Sequence, residues 1–128
     1  MSASASLQSN ISGWEPVTAA PVVLTSTPAI VVAASQKKRV ITNVRLVETA
    51  GAGATIDGWI HANGVANAAG NQIYSDLAIA ANNAIVEGGG ELSPALPVLN
   101  LGEELQLAAP TGAVTVWVTY LEDTRQAT

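Results

Sequence analysis

The pattern that most constrains this chain is a period of two. Val114, Val116, Val118 and Tyr120 fall on one side of an extended run, and Thr115, Trp117, Thr119 and Leu121 on the other. Successive side chains of a strand point to opposite faces, so such a run folds as a β-strand with one face on a core. The period recurs upstream. Val40, Thr42, Val44 and Leu46 alternate with Ile41, Asn43, Arg45 and Val47, and β-branched residues dominate. Ile56, Gly58 and Ile60 share one face, opposite Asp57, Trp59 and His61. Ile73, Ser75 and Leu77 begin another run, and Glu104, Leu105, Gln106 and Leu107 alternate polar with apolar.

Turn residues separate these runs. Gly51-Ala52-Gly53, Asn82-Asn83 and Pro110-Thr111-Gly112 suit turns, Gly88-Gly89-Gly90 a kink or bulge, and Asn63 to Gln72 a long loop. Pro94 and Pro97 exclude a central strand where they stand. No segment carries a capped helical period; the Ala-rich piece from Leu77 to Ala84 is short and broken by Asn82-Asn83. About eight short antiparallel strands predict an all-β fold, a single jelly-roll-like β-sandwich. Residues 1–14 are rich in Ser, Ala, Gln and Asn, with Leu7 and Ile11 as the large apolar residues between the initiator Met and Trp14. This predicts a flexible N-terminal arm over 1–14 and a sandwich domain over 15–128. With no Phe, three Trp and two Tyr, the core is expected to be thin and built from small side chains.

Composition bears on what covers the strands. The chain is 48% hydrophobic and 12% charged, against roughly 25% charged in an ordinary soluble domain. That excludes intrinsic disorder, and no apolar run approaches the ~20 residues of a membrane helix. Neutral faces such as Asn43/Arg45 and Thr115/Trp117/Thr119 suit protein contact. They are expected to be partly covered by neighbouring subunits, while acids at Glu87, Glu103-Glu104 and Glu122-Asp123 stay in water at turns. A net charge of −5 disfavours nucleic acid. Lys37, Lys38 and Arg39 read as a solvated strand entrance. The absence of Cys removes disulfides, thiol catalysis and Cys-ligated zinc. The start of the chain has neither the basic nor the apolar segment of a secretion signal.

Chemistry-bearing motifs are sparse. His61 is the sole histidine, beside Asp57 and Trp59, and no Gly-x-Ser-x-Gly turn accompanies it. It reads as a surface or interface residue. The acids, Glu87 and Glu91 included, do not follow the spacing of a calcium loop. Asp57 and Asp76 are the pair a glycosidase reading would need, and nothing supports it. The expectation is therefore a non-enzyme, with no catalytic residue, metal or cofactor. Trp14 is read as the anchor of the arm, together with Leu7 and Ile11. Trp59, His61 and Trp117 are the remaining interface candidates.

The succession of segments resembles small β-sandwich virion structural proteins of tailed bacteriophages. An arm and an apolar strand lead through a basic turn into Arg39–Val47. Then come Thr55–His61, the Ala/Asn stretch Leu77–Asn83, Leu99–Leu105 and the Val/Thr strand Ala113–Tyr120. The resemblance covers roughly residues 20–122. It implies a β-sandwich without enzyme activity on the outside of the head, the neck or the tail; the leading reading is a capsid decoration (cement) protein, a homo-oligomer with a trimer favoured, bound to the major capsid protein or other virion proteins. The location implied is the virion, assembled in the bacterial host cytoplasm, with no nucleic-acid or membrane partner. Alternatives are a neck, tail or fibre-base component, and a carbohydrate-binding module stacking sugars on Trp59 or Trp117.

Overall fold

The computed structural model describes residues 13–88 and 97–125. Ten strands make up almost all of it: β1 (Trp14–Thr18), β2 (Val22–Leu24), β3 (Ala29–Val32), β4 (Arg39–Glu48), β5 (Ala54–Ala62), β6 (Gln72–Ile79), β7 (Ala84–Gly88), β8 (Val98–Leu99), β9 (Glu103–Thr111) and β10 (Val114–Asp123). One 3₁₀ turn, Ala69–Asn71, precedes β6.

The strands form two sheets, antiparallel throughout. In the first, β10 and β4 are central; β1 and β2 lie along the free side of β10, and β7 and β8 along the free side of β4. The second runs β3-β9-β5-β6. If β1/β2 and β7/β8 each count as one position, the ten strands fill eight positions, ordered 1-8-3-6 and 2-7-4-5. That is the jelly-roll order of two Greek keys. Trp14, expected to close the arm, instead opens β1 opposite Asp123. Residues 1–12, including Leu7 and Ile11, lie outside the described residues, as do Gly89, Gly90, Glu91 and Pro94.

The core between the sheets is branched aliphatic. Leu24, Ile41, Leu46, Ile56, Leu99, Leu105, Leu107, Val114, Val116 and Val118 are fully buried. The expectation of a core of small residues is corrected here. Ala54, Ala108 and Ala109 are buried, but most described alanines face solvent on loops and turns.

Strict alternation fails in β4 for a definite reason. Asn43 pairs with Thr119 but Ile41 with Tyr120, so Thr42 is an extra, bulged residue. Its hydroxyl donates to the Thr119 carbonyl at 3.1 Å. Ile41 and Val44 therefore both point into the core, and Val40 joins Asn43, Arg45 and Val47 on the outside. In β5 the register shifts on both sides of Gly58. A Cβ there would lie 2.6 Å from Leu107 Cδ2 and 2.9 Å from Tyr74 Cδ2, so only glycine fits.

At one end of the sandwich, two turns that cross between the sheets are tied to one carboxylate. Glu48, buried, accepts from the amides of Ala50 (2.7 Å), Gly51 (2.8 Å) and Asn82 (2.8 Å). The Thr49 amide donates to the Ala113 carbonyl in the β9–β10 turn. The sheet edges are irregular. Pro16 lies within β1, Pro21, Pro28 and Pro97 immediately precede β2, β3 and β8, and β6 bulges at Asp76, whose φ is +54°. The Asp76 amide donates to Asp57 Oδ1 at 2.9 Å. This gives Asp57 a structural partner in place of the paired-carboxylate role.

Candidate interaction face and buried polar network

The outer face of the first sheet is built by cross-strand register. The core-facing residues of β10 are Val114, Val116 and Val118, so Thr115, Trp117, Thr119 and Leu121 look outward. Pairing carries each outward residue into a row. Leu121 sits between Pro16 and Val40, and Val40 pairs on with Val98. Thr115 sits between Val23 and Val47. Thr119 sits between Thr18 and Asn43. Trp117 pairs with Arg45, whose guanidinium lies 5.8 Å from the indole centroid. Trp14 lies on the same face at the far end of β10 and is capped in the same way by Arg125 at 5.7 Å. Six residues of β10 separate the two rows, about 20 Å. Val23 is 66% exposed and Trp117 37%. The face is therefore aliphatic, aromatic and threonine-rich. Among the described residues its charges include Arg45, stacked on an indole, and at the rim the Asp123–Arg125 pair (2.9 Å) with Lys38 beside Asp123.

Trp59 and His61 belong elsewhere. They lie on the outer side of the second sheet, where Trp59 pairs with Gln106 and His61 with Glu104. The loop 63–71 folds over this region. His61 is 4% exposed and Glu104 2%. Both differ from the sequence expectation of a surface histidine and a solvated turn acid. The physical reason is that the loop supplies polar partners that make burial tolerable. Asn63 Nδ2 donates to Glu104 Oε1 (2.8 Å) and Gln106 Nε2 to Glu104 Oε2 (2.5 Å). Asn67 Nδ2 donates to Gln106 Oε1 (3.1 Å), and His61 Nε2 meets Asn67 Oδ1 (2.5 Å). The Gln106 and Asn63 bonds, with the nearby imidazole, hold the Glu104 carboxyl below the usual carboxylate range against the cost of burial.

Beside this network an open cleft of about 500 Å³ is lined by Ile30, Ala33 to Gln36, Asn63, Gly102 and Glu104. Arg39 holds its walls. The residue is 1% exposed, and its guanidinium donates to the Ala33 carbonyl and, at 2.7 Å, to the Glu103 carbonyl. Nε is buried without a hydrogen-bond partner, and burial draws the guanidinium pKa down. Of the basic triplet only Lys37 and Lys38 are the solvated entrance expected. Arg39 is drawn in because two backbone carbonyls converge where its side chain ends.

No protein-family model and no curated protein sequence matches the chain.

The structure thus places the described interface candidates on two surfaces, Trp14 and Trp117 on one and Trp59 and His61 on the other. Sequence reasoning missed the Pro16–Leu121–Val40–Val98 row, because Val40 was grouped with Val44 and Leu46. It also missed the Glu104 network. The available signal was the three asparagines of the stretch 63–71 together with Gln106, an unusual density of amides next to a lone histidine. Among the described residues, no group of three or more His, Cys, Asp or Glu is placed to hold a metal ion. Among them, too, no helix is long and apolar enough to cross a membrane.

Proposed function

We propose that this protein is a non-enzymatic virion structural protein of a tailed bacteriophage that decorates and cements the outside of the capsid. What carries the reading is the outer face of the first sheet. Pro16, Leu121, Val40 and Val98 form a continuous apolar row across it, and Trp117, Val23 and Val47 lie farther along the same face, beyond the row of Thr18, Thr119 and Asn43. A face of this kind gains free energy when covered by another protein, at roughly 25 cal/mol per Å² of apolar area. Its one central charge, Arg45, is already stacked over an indole face, so covering it costs less than covering a hydrated lysine. The partner in this reading is the major capsid protein, met by a homo-oligomer for which a trimer is favoured. Many modest contacts then act together through multivalency. The jelly-roll framework suits a part that bears load and performs no chemistry.

The glycan alternative gains nothing from the geometry. Trp117 stands under the Arg45 guanidinium on the outer face of the first sheet and Trp59 lies on the outer side of the second, so the two candidate platforms do not form a coplanar pair. The test is cosedimentation of the purified protein with capsids that lack it, followed by its abundance relative to the major capsid protein. Saturable binding at many copies per particle, lost in Trp117→Ala, supports decoration. Binding at a few copies per particle moves the protein to the neck or tail. Absence of binding to any virion component overturns the reading.

A further inference from the structure

Glu104 sets the direction of every bond in the chain that ends on His61. An ionised carboxylate accepts and cannot donate. Gln106 therefore turns its amide nitrogen toward Glu104, leaving Oε1 for Asn67. Asn67 must then donate through Nδ2, so its Oδ1 faces His61 Nε2. On the other side of the ring, Nδ1 faces the Ala62 carbonyl at 2.9 Å. Both ring nitrogens meet acceptors. A neutral imidazole has one N–H and would leave one contact as oxygen lone pair against nitrogen lone pair. Only the imidazolium satisfies both.

We propose that His61 is a proton-operated latch: as imidazolium it holds loop 63–71 against β9, and loss of the proton frees the loop and the wall of the cleft that Asn63 forms. The loop is suited to move as a unit. Asn71 organises it internally, accepting from the Ala68 amide at 3.0 Å and donating to the Ala66 carbonyl at 3.1 Å. It reaches β9 through the side chains of Asn63 and Asn67 and the Asn63 amide on the Gly102 carbonyl.

The surroundings favour the charged ring. The Ala62 carbonyl contributes most, burial opposes, and Asn67, Glu104 and Glu103 add to the upward shift of its pKa. The loop presents neutral Asn63, Asn67 and Asn71, and β6 presents neutral Gln72 opposite Trp59. From β3, neutral Ile30 pairs with Gln106. On β5 itself, Asp57 is engaged by the Asp76 amide. Arg39 reaches β9 from β4 through the Glu103 carbonyl and does not contribute to the shift. A raised folded pKa gives stabilisation that is complete below the ordinary value of 6.5 and is lost as pH rises through the raised value. Glu104, shifted downward, stays ionised throughout that range. The latch is closed in mild acid and opens toward alkaline pH.

Because the chain has one histidine, ¹H–¹⁵N spectra of the imidazole read the latch without ambiguity. The expected result is a doubly protonated ring that titrates above 6.5. Amide exchange across residues 63–71, corrected for its intrinsic base catalysis, should rise about fivefold or more at the same midpoint, the equivalent of one lost hydrogen bond. Asn67→Ala should bring the midpoint down toward 6.5 and remove the inflection while the far-UV spectrum stays that of the folded sandwich. A ring that titrates at or below 6.5, or a loop whose exchange shows no inflection at the ring's midpoint, overturns the proposal.

Discussion

Gly112 links β9 to β10 where the chain passes from one sheet to the other, and Gly112→Ala tests how tightly that crossing is packed. Its φ is +81°, and a Cβ would lie 2.4 Å from the Gly53 carbonyl oxygen and 2.7 Å from Ala54 Cβ. Two costs add. A left-handed backbone costs an L-residue about 1–2 kcal/mol. Forcing a methyl against backbone that must move costs about 1–3 kcal/mol more. A central total of about 3.5 kcal/mol, divided by an unfolding entropy of ~2.1 cal/mol/K per residue, lowers Tm by about 13 °C for a chain of 128 residues. Gly64→Ala is the control. Its φ is +89°, and nothing lies within 4 Å of the added methyl. It bears the backbone cost alone, about 1–2 kcal/mol, or roughly 4–7 °C. The gain from stiffening the unfolded chain is the same for both and cancels in the difference. Differential scanning calorimetry reads the two values directly. Equal losses would refute the claim that the crossing turns are held at backbone contact.

Three further outcomes follow from the buried polar groups and the outer face. Glu48→Gln lowers Tm at neutral pH, since an amide cannot accept three backbone N–H groups as a carboxylate does. Bonds from Asn82 and the 50–51 amides hold the Glu48 carboxyl below the usual range, so its stabilisation is present above that range and fades as pH falls through the depressed value; the variant should show a flatter acid limb in Tm against pH. Arg39→Ala destabilises by at least about 2 kcal/mol, measured as a shift in urea midpoint at unchanged slope, because two carbonyls lose a charged donor. Arg39→Lys restores only part of this, as one ammonium lacks the fork that serves both. Trp117→Ala combined with Val23→Lys changes stability by little, within roughly 1 kcal/mol, yet weakens binding to capsids at least tenfold by cosedimentation.

The fold was legible where local chemistry decides it. Asn82 takes φ +56° in the β6–β7 turn, as an Asn-Asn pair suggests, and Val114 to Val118 alternate without interruption. Legibility ended where a distant partner decides. The bulge at Thr42 is set by its neighbour β10, and nothing in the local run marks it, so Val40 was assigned to the wrong side. Arg39 is chemically like Lys37 and Lys38 beside it; only the converging carbonyls of Ala33 and Glu103 distinguish it. Glu104 could not be told from Glu103 until the loop brought Asn63 to it. Trp14 followed a polar segment and was grouped with it, although its pairing partner lies at the opposite end of the chain.

The irregular sheet edges bear on how such a subunit can multiply. A strand with a free row of amides and carbonyls invites the next copy to add its own strand, and growth of that kind has no natural end. Here proline stands in or just before four of the edge strands, and Asp76 bends a fifth. Lateral extension is discouraged along β1, β2, β3, β6 and β8. In the proposed reading the adhesive part is a face of finite area, and a face once occupied offers nothing further. If the proposed decoration role holds, such a subunit coats a surface to saturation and stops, without growing into fibres.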